Sequence, residues 1–216
     1  MKKYLLFDFD GTLFNTSPGI LTCMEKVIEA YHITEFSLED LHLCIGPPLS
    51  WTFESLFKIP REKVPEAITY YRKFYNAGEI FHVEAYDGME DCLKTLHEKG
   101  YFISVCSSKP KVACQKILDK FGWSQYFDDV CGAIPKEKVE SKEDVLASFF
   151  SRHSKANKDN TILIGDTKYD ALGAKEFDMD FLGVSYGFGS VDEMRQIGAK
   201  AIVSSPLEVL NYIEKL

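Results

Sequence analysis

The sequence predicts an α/β fold: a doubly wound, Rossmann-like parallel sheet core with an inserted helical cap domain. Three observations predict it. Short apolar runs that do not alternate cleanly with polar residues recur along most of the chain, with amphipathic stretches between them, as buried parallel strands and crossover helices require. From residue 16 to about residue 82 that rhythm stops and one helical pattern follows another. The flanks of this segment, Asn15 to Gly19 and Glu84 to Gly88, are loop-like, so it can leave and rejoin the core through two adjacent linkers. The expected division is a core of residues 1–15 and 83–216 and a cap of residues 16–82.

The strands are expected at 3–9, 101–106, 161–164, 181–185 and 200–203, each short and rich in Ile, Val, Leu or Phe. Core helices are expected at 88–99, 110–121, 142–153 and 168–178. Pro110 suits a first helical turn, and Gly100 and Gly122 stand where helices commonly end. Within the cap the pattern gives helices at 18–31, 38–44, 49–57 and 61–77. The aromatic run Tyr70-Tyr71-Arg72-Lys73-Phe74-Tyr75 reads as cap packing rather than a base-stacking platform.

Composition narrows the partners. The chain has 216 residues, 45% of them hydrophobic and 27% charged, ordinary for a soluble globular protein. A net charge of −8 argues against a nucleic-acid polymer or an anionic membrane as the main partner. Small anions remain admissible, because local dipoles and a metal outweigh a global charge. The six cysteines include no Cys-x-x-Cys pair, which fits buried thiols in a reducing compartment better than a zinc ribbon or a disulfide framework. Asp8 interrupts the apolar run near the N-terminus, and no run reaches the ~18 residues of a membrane span. The expectation is a cytoplasmic monomer or homodimer.

Unusual polar groups stand at three strand ends: Asp8 and Asp10 in FDFDGT, Ser107-Ser108-Lys109, and Gly165-Asp166 with Asp170 one helical turn on. In a doubly wound sheet the carboxyl ends of the strands share one edge, where ligands bind. Residues two apart on a strand face one side, so Asp8 and Asp10 are expected to approach one centre, with Asp166 as a third carboxylate. Three such groups repel, and Mg²⁺ with its preference for oxygen ligands relieves that repulsion. Mg²⁺ also binds substrate phosphate, which points to phosphoryl chemistry.

The roles follow. An ionised carboxylate at Asp8 can attack phosphorus without a base, and Asp10 can exchange a proton with the leaving group and then with water. Ser107 supplies a hydroxyl, and Gly11, Thr12, Ser108 and Lys109 lie where amides and polar side chains can meet the phosphoryl oxygens. A lysine should neutralise the remaining charge. Ser141-Lys142-Glu143-Asp144 has capping-box spacing, which places Lys142 in a helix's first turn. Lys136 and Lys138 in the same glutamate-rich stretch are the alternatives. In the cap, the loop CIGPPLSW (44–51), with Gly46 at its centre and two adjacent prolines, is the segment expected to face the substrate.

These motifs, Asp-x-Asp-Gly-Thr at 8–12, the serine at 107, Lys142 and Gly-Asp-x-x-x-Asp at 165–170, resemble those of the haloacid dehalogenase superfamily of phosphohydrolases, in the family's order. The segments GTLFNTSPGI, IGPPL, SSKP, GDTKYDALGA and YGFGS look like its phosphoglycolate phosphatase and 5′-nucleotidase branch. The resemblance implies Asp8 as nucleophile and Asp10 as general acid/base. It also implies metal binding by Asp8, the Asp10 main-chain carbonyl and Asp166, with Asp170 as support. Serine stands at 107 where threonine is common. The activity this implies is Mg²⁺-dependent hydrolysis of a small phosphomonoester, with phosphoglycolate, a nucleoside monophosphate or a sugar phosphate as substrate. A phosphomutase on the same scaffold and a non-catalytic ligand sensor are the rivals. The full set of catalytic residue types argues against the sensor, and Asp10 would have no role in displacing halide from carbon.

Overall fold

A computed structural model describes residues 2–134 and 141–216. The chain divides into two compact units, one of residues 1–15 and 85–216, the other of residues 16–84. The two-residue strands β2 (Phe14–Asn15) and β3 (Glu84–Ala85) stand where the chain passes between them.

The first unit is built on a six-stranded sheet in which every pairing is parallel. Its strands are β1 (Tyr4–Phe7), β4 (Phe102–Pro110), β5 (Asp129–Ala133), β6 (Thr161–Gly165), β7 (Asp180–Val184) and β8 (Ala201–Val203), in the order β5-β4-β1-β6-β7-β8. Helices α4 (Met89–Glu98), α5 (Lys111–Phe121), α6 (Lys142–Arg152), α7 (Lys168–Glu176), α8 (Val191–Ile197) and α9 (Pro206–Ile213) complete the unit. Tyr4 and Leu6 pack with Val145, Leu146 and Phe149 of α6, Ala171 of α7 and Met194 of α8. Leu5 and Phe7, pointing the other way, are fully buried too. Both faces of β1 are therefore covered, which is why its run is continuously apolar.

Register fixes the position of the site. Phe7 pairs with Val105 on one side and Ile164 on the other, so residue 8 and the residues after 105 and 164 emerge at one level. The first strand is shorter than the expected 3–9. Asp8 still donates its N–H to the Ile164 carbonyl at 2.8 Å, but the chain then turns: Gly11 takes φ 79°, and the Leu13 and Phe14 amides both donate to Phe9 O. A left-handed residue at this turn requires glycine or a small polar side chain. β4 runs past 106 to Pro110, with a register shift against β5 between Ser107 and Pro110.

Three elements escaped the sequence pattern. β5 carries Asp129, two small residues and a cysteine and has no aliphatic run. α8 and α9 are short, at 7 and 8 residues, yet each begins at a serine whose hydroxyl accepts the N–H of a glutamate three residues on.

The second unit contains α1 (Ser17–Ala30), α2 (Leu49–Trp51) and α3 (Val64–Ala77). The expected helix at 38–44 is a 3₁₀ helix, the one at 49–57 becomes π-helical over Thr52–Leu56, and a 3₁₀ turn at Arg61–Lys63 precedes α3. Tyr71 and Tyr75 stack on one another at 5.6 Å and Phe53 meets Tyr71 edge-on at 6.3 Å, so this face of the aromatic run is core packing. Among the described residues, no helix is long and apolar enough to cross a membrane.

Candidate active site

Three carboxylates converge at the carboxyl end of the sheet. Asp8 follows β1, Asp166 follows β6, and Asp170 lies in the first turn of α7; all are buried, and one oxygen of each falls within 4.8 Å of the others. A single ammonium reaches into the group. Lys142 Nζ donates to Asp8 Oδ1 at 2.8 Å and to the Cys106 carbonyl at 2.7 Å, and lies 2.6 Å from Asp170 Oδ1.

Local structure explains how that lysine is aimed. Ser141 Oγ accepts the Asp144 N–H while Asp144 Oδ2 accepts the Ser141 N–H, a reciprocal cap that starts α6 at Lys142. The stem then lies on α7 where Gly173 leaves room, since a Cβ there would sit 2.7 Å from Lys142 Cγ. Asp170 is fixed in the same way: its Oδ2 accepts both the Thr167 N–H at 3.0 Å and the Thr167 hydroxyl at 2.7 Å.

Asp166 is held by neutral donors. Thr12 Oγ1 donates to Oδ1 at 3.2 Å and the Phe188 N–H to Oδ2 at 2.7 Å. The Tyr186 hydroxyl anchors the threonine by donating to its carbonyl at 3.1 Å. The backbone around this carboxylate is too close for side chains. A Cβ at Gly11 would lie 2.1 Å from Asp166 Oδ2, and one at Gly187 2.4 Å from the same oxygen.

The electrostatics are unbalanced. Burial, reinforced by Asp170, pushes the Asp8 carboxyl up to about 6 despite the Lys142 contacts. Burial and the two neighbouring carboxylates push Asp166 well above the carboxylate range. Burial opposes the Lys142 charge, but Asp170 and Asp8 outweigh it and the lysine stays firmly protonated. Three clustered carboxylates, of which two share one ammonium and the third has neutral donors, suit a hard divalent cation, which would relieve the surplus charge with oxygen ligands. The donor set therefore fits the expected Mg²⁺.

Asp10 departs from the expectation drawn from strand alternation. Because β1 ends at Phe7, its side chain is not in the carboxylate cluster; Lys109 Nζ donates to both of its oxygens, at 2.8 and 3.2 Å, and lies 5.8 Å from the centre of the Phe9 ring. Ser107 is buried, its hydroxyl accepting the Lys109 N–H at 3.2 Å. Ser108 is exposed. Gly46 belongs to the second unit, where its φ of 100° demands glycine. Lys136 and Lys138 lie outside the described residues. Sequence reasoning had assigned no role to Thr167, Tyr186, Gly187 and Phe188, although the YGFGS segment, with glycines two apart, carried the signal.

A model of the haloacid dehalogenase-like hydrolases matches residues 5–184. Pyrophosphatase PpaX of Halalkalibacterium halodurans is 31% identical over 209 residues, covering 97% of this chain and 95% of its own. A 5′-nucleotidase of Pseudomonas aeruginosa is 30% identical, covering 88% and 86%. Among solved structures, one described as a predicted phosphatase from Clostridium acetobutylicum superposes with a TM-score of 0.93 at 35% identity, covering all of both chains.

Proposed function

The chain belongs to the haloacid dehalogenase-like hydrolase family, and on that premise we propose that it is a Mg²⁺-dependent phosphomonoester hydrolase that works through an aspartyl-phosphate at Asp8. The observation that supports this reading is the buried, charge-unbalanced cluster, in which Asp8 and Asp170 share the Lys142 ammonium while Asp166 is held by neutral donors.

Asp8 attacks phosphorus with a carboxylate oxygen, and the bond from phosphorus to the leaving oxygen breaks. Lys142 orients Asp8 and balances charge on the phosphoryl oxygens, while the Ser107 hydroxyl adds a donor. Asp10 gives a proton to the departing oxygen, then takes one from the water that attacks the aspartyl-phosphate. Its contact with Lys109 has to loosen for the proton to be carried. Asp8, the Asp10 carbonyl and Asp166 would hold Mg²⁺, with Asp170 in support. The ion supplies charge neutralisation at the phosphoryl group.

The substrate is a small phosphorylated metabolite, with phosphoglycolate first among the esters because the motif set resembles that branch. A 5′-nucleotide or pyrophosphate is the second reading, favoured by the names of the relatives at 30 and 31% identity. The inserted unit serves as a cap, and its 44–51 loop selects among these. The test is phosphate release across a panel of phosphoglycolate, 5′-nucleotides, sugar phosphates and pyrophosphate, with and without Mg²⁺, using Asp8→Asn as the blank. Metal-dependent release above the blank is expected. Equal release by the variant would overturn the reading, and an isomerised sugar phosphate in place of free phosphate would make the protein a mutase.

A further inference from the structure

The described residues hold six free cysteines, all buried, and two of them face each other across neighbouring strands. Cys106 of β4 pairs in register with Cys131 of β5, and both side chains enter the same core cluster. The surroundings of the two sulfurs differ. Arg152 Nη2 donates to Cys131 Sγ at 2.7 Å, and the Ser104 hydroxyl lies 3.7 Å away. The Cys131 thiol in turn donates to Asp129 Oδ2 at 3.3 Å, an oxygen that Arg152 Nη1 at 2.9 Å and His153 Nε2 at 2.7 Å also approach. Cys106 is wholly enclosed, next to Lys142 and Ser107, and its carbonyl accepts the Lys142 Nζ bond at 2.7 Å.

We propose that Cys106 and Cys131 are a reversible redox pair whose oxidation to a disulfide lowers turnover by displacing the carbonyl that holds Lys142. Cys131, on the edge strand and accepting from Arg152 Nη2, is the attacking sulfur. Its thiol is held below the ordinary range first by the bond from Cys106, against burial and the Asp129 charge, with Ser104 and Arg152 adding to the lowering. Burial pushes Cys106 up and keeps it a thiol. With a hydroperoxide as oxidant, Cys131 sulfur attacks the peroxide oxygen and the O–O bond breaks. Hydroxide leaves, takes a proton and becomes water, and Cys131 is left as a sulfenic acid. Cys106 sulfur then attacks the Cys131 sulfur, the S–O bond breaks, and a second water departs with the Cys106 proton. Two thiols are oxidised and one peroxide is reduced to two waters.

Geometry supports both formation and consequence. Adjacent strands stand ~4.8 Å apart, inside the Cα range of a disulfide, but its Cβ atoms must close to ~3.8 Å. The two strands must therefore draw together beside the point where their register already slips, between Ser107 and Pro110. β5 is an edge strand and the Arg152 side chain over Cys131 is 41% exposed, so a reagent as small as peroxide needs only local opening to reach the sulfur.

The consequence for turnover rests on the phosphatase reading; formation of the bond does not, so the test reads the two separately. The protein is treated with hydrogen peroxide, its peptides are mapped by mass for a Cys106–Cys131 link, and phosphate release is followed before and after a dithiol reductant. The link and at least a fivefold loss of turnover are expected together, both reversed by reductant. In Arg152→Met the link should form more slowly, because the thiolate loses its cationic donor, and Cys131→Ala should retain its turnover through the treatment. Absence of the link overturns the proposal whether or not the protein is an active phosphatase. A link that leaves turnover unchanged, or a turnover loss that persists in Cys131→Ala, overturns the switch.

Discussion

The two ends of the core sheet are both rich in acidic and basic side chains, and they solve the charge problem in opposite ways. At the amino end a hollow of about 530 Å³ is lined by Lys2, Lys158, Lys175 and Lys200 together with Asp159, Asp178 and Asp180. There Lys2 lies 3.0 Å and Lys200 3.7 Å from Asp180, and Lys158 pairs with Asp178. At the carboxyl end Asp8 and Asp170 share Lys142 beside Asp166, and all four groups are buried. The amino end has volume and balanced, mostly solvated ion pairs, which contribute little. The carboxyl end holds buried negative charge that Lys142 neutralises only in part among the described residues, which folding alone would not retain. Surplus buried charge, rather than cavity size, marks the site.

The sharpest way to break the comparison is to compare activity at the two ends. Asp8→Asn should lower phosphate release by about 10⁴-fold or more, the scale on which nucleophile removal acts, whereas Asp178→Asn should leave it unchanged. Loss in both variants would mean that the distinction between the ends is wrong.

Next in size is the effect of removing the shared ammonium. Lys142→Met leaves Asp8 and Asp170 without their 2.8 and 2.6 Å partner, and should cost about 3 kcal/mol in urea unfolding. Added Mg²⁺ should recover part of that loss by taking over the neutralisation. The equivalent variant at the other end, Lys158→Met, should not move the urea midpoint.

A smaller effect, but one with a diagnostic sign, is the pH dependence of stability without metal. Asp8 titrates near 3.8 when unfolded and at about 6 when folded. Between those values the folded state binds the extra proton, so this group makes the metal-free protein less stable as pH rises from about 4 to about 6, and flat above. Asp8→Asn should therefore raise metal-free stability by on the order of 2 kcal/mol at pH 7.5, with the gain vanishing below pH 4. Asp129 runs the other way. Burial pushes its carboxyl up, but His153, Cys131 and Arg152 outweigh burial and lower it, so its contribution is present at neutral pH and lost on acidification. Asp129→Asn should accordingly destabilise at pH 7.5 and become neutral in acid.

Much of this contrast was legible in the sequence, for identifiable reasons. The apolar runs of β1, β4, β6 and β7 are the buried parallel strands they read as, β8 is a half-buried strand at the sheet's edge, and the serine and aspartate flanking Lys142 form the capping box their spacing announced. What could not be read depends on contacts between distant segments. The Lys109–Asp10 pair spans 99 positions, and no local pattern announces it. The turn after Phe7 defeated strand alternation at Asp10, because three residues beyond the last ladder pair the chain already obeys Gly11 rather than the sheet. β5 was silent because a single valine stands among an aspartate, a cysteine and two small residues, although four of the five are buried. Its Asp129 and paired cysteine carry side-chain chemistry rather than hydrophobic pattern.

The most direct test of the central claim is to trap the covalent intermediate. The protein is mixed with Mg²⁺ and its best ester from the panel, quenched and reduced with borohydride, which converts an acyl phosphate on aspartate to homoserine, and the peptides are mapped by mass. Homoserine at residue 8, dependent on substrate and absent from the Asp8→Asn variant, is the predicted result. Rapid phosphate release with residue 8 unmodified, or with homoserine at residue 10, 166 or 170 instead, would contradict the assignment of Asp8 as nucleophile.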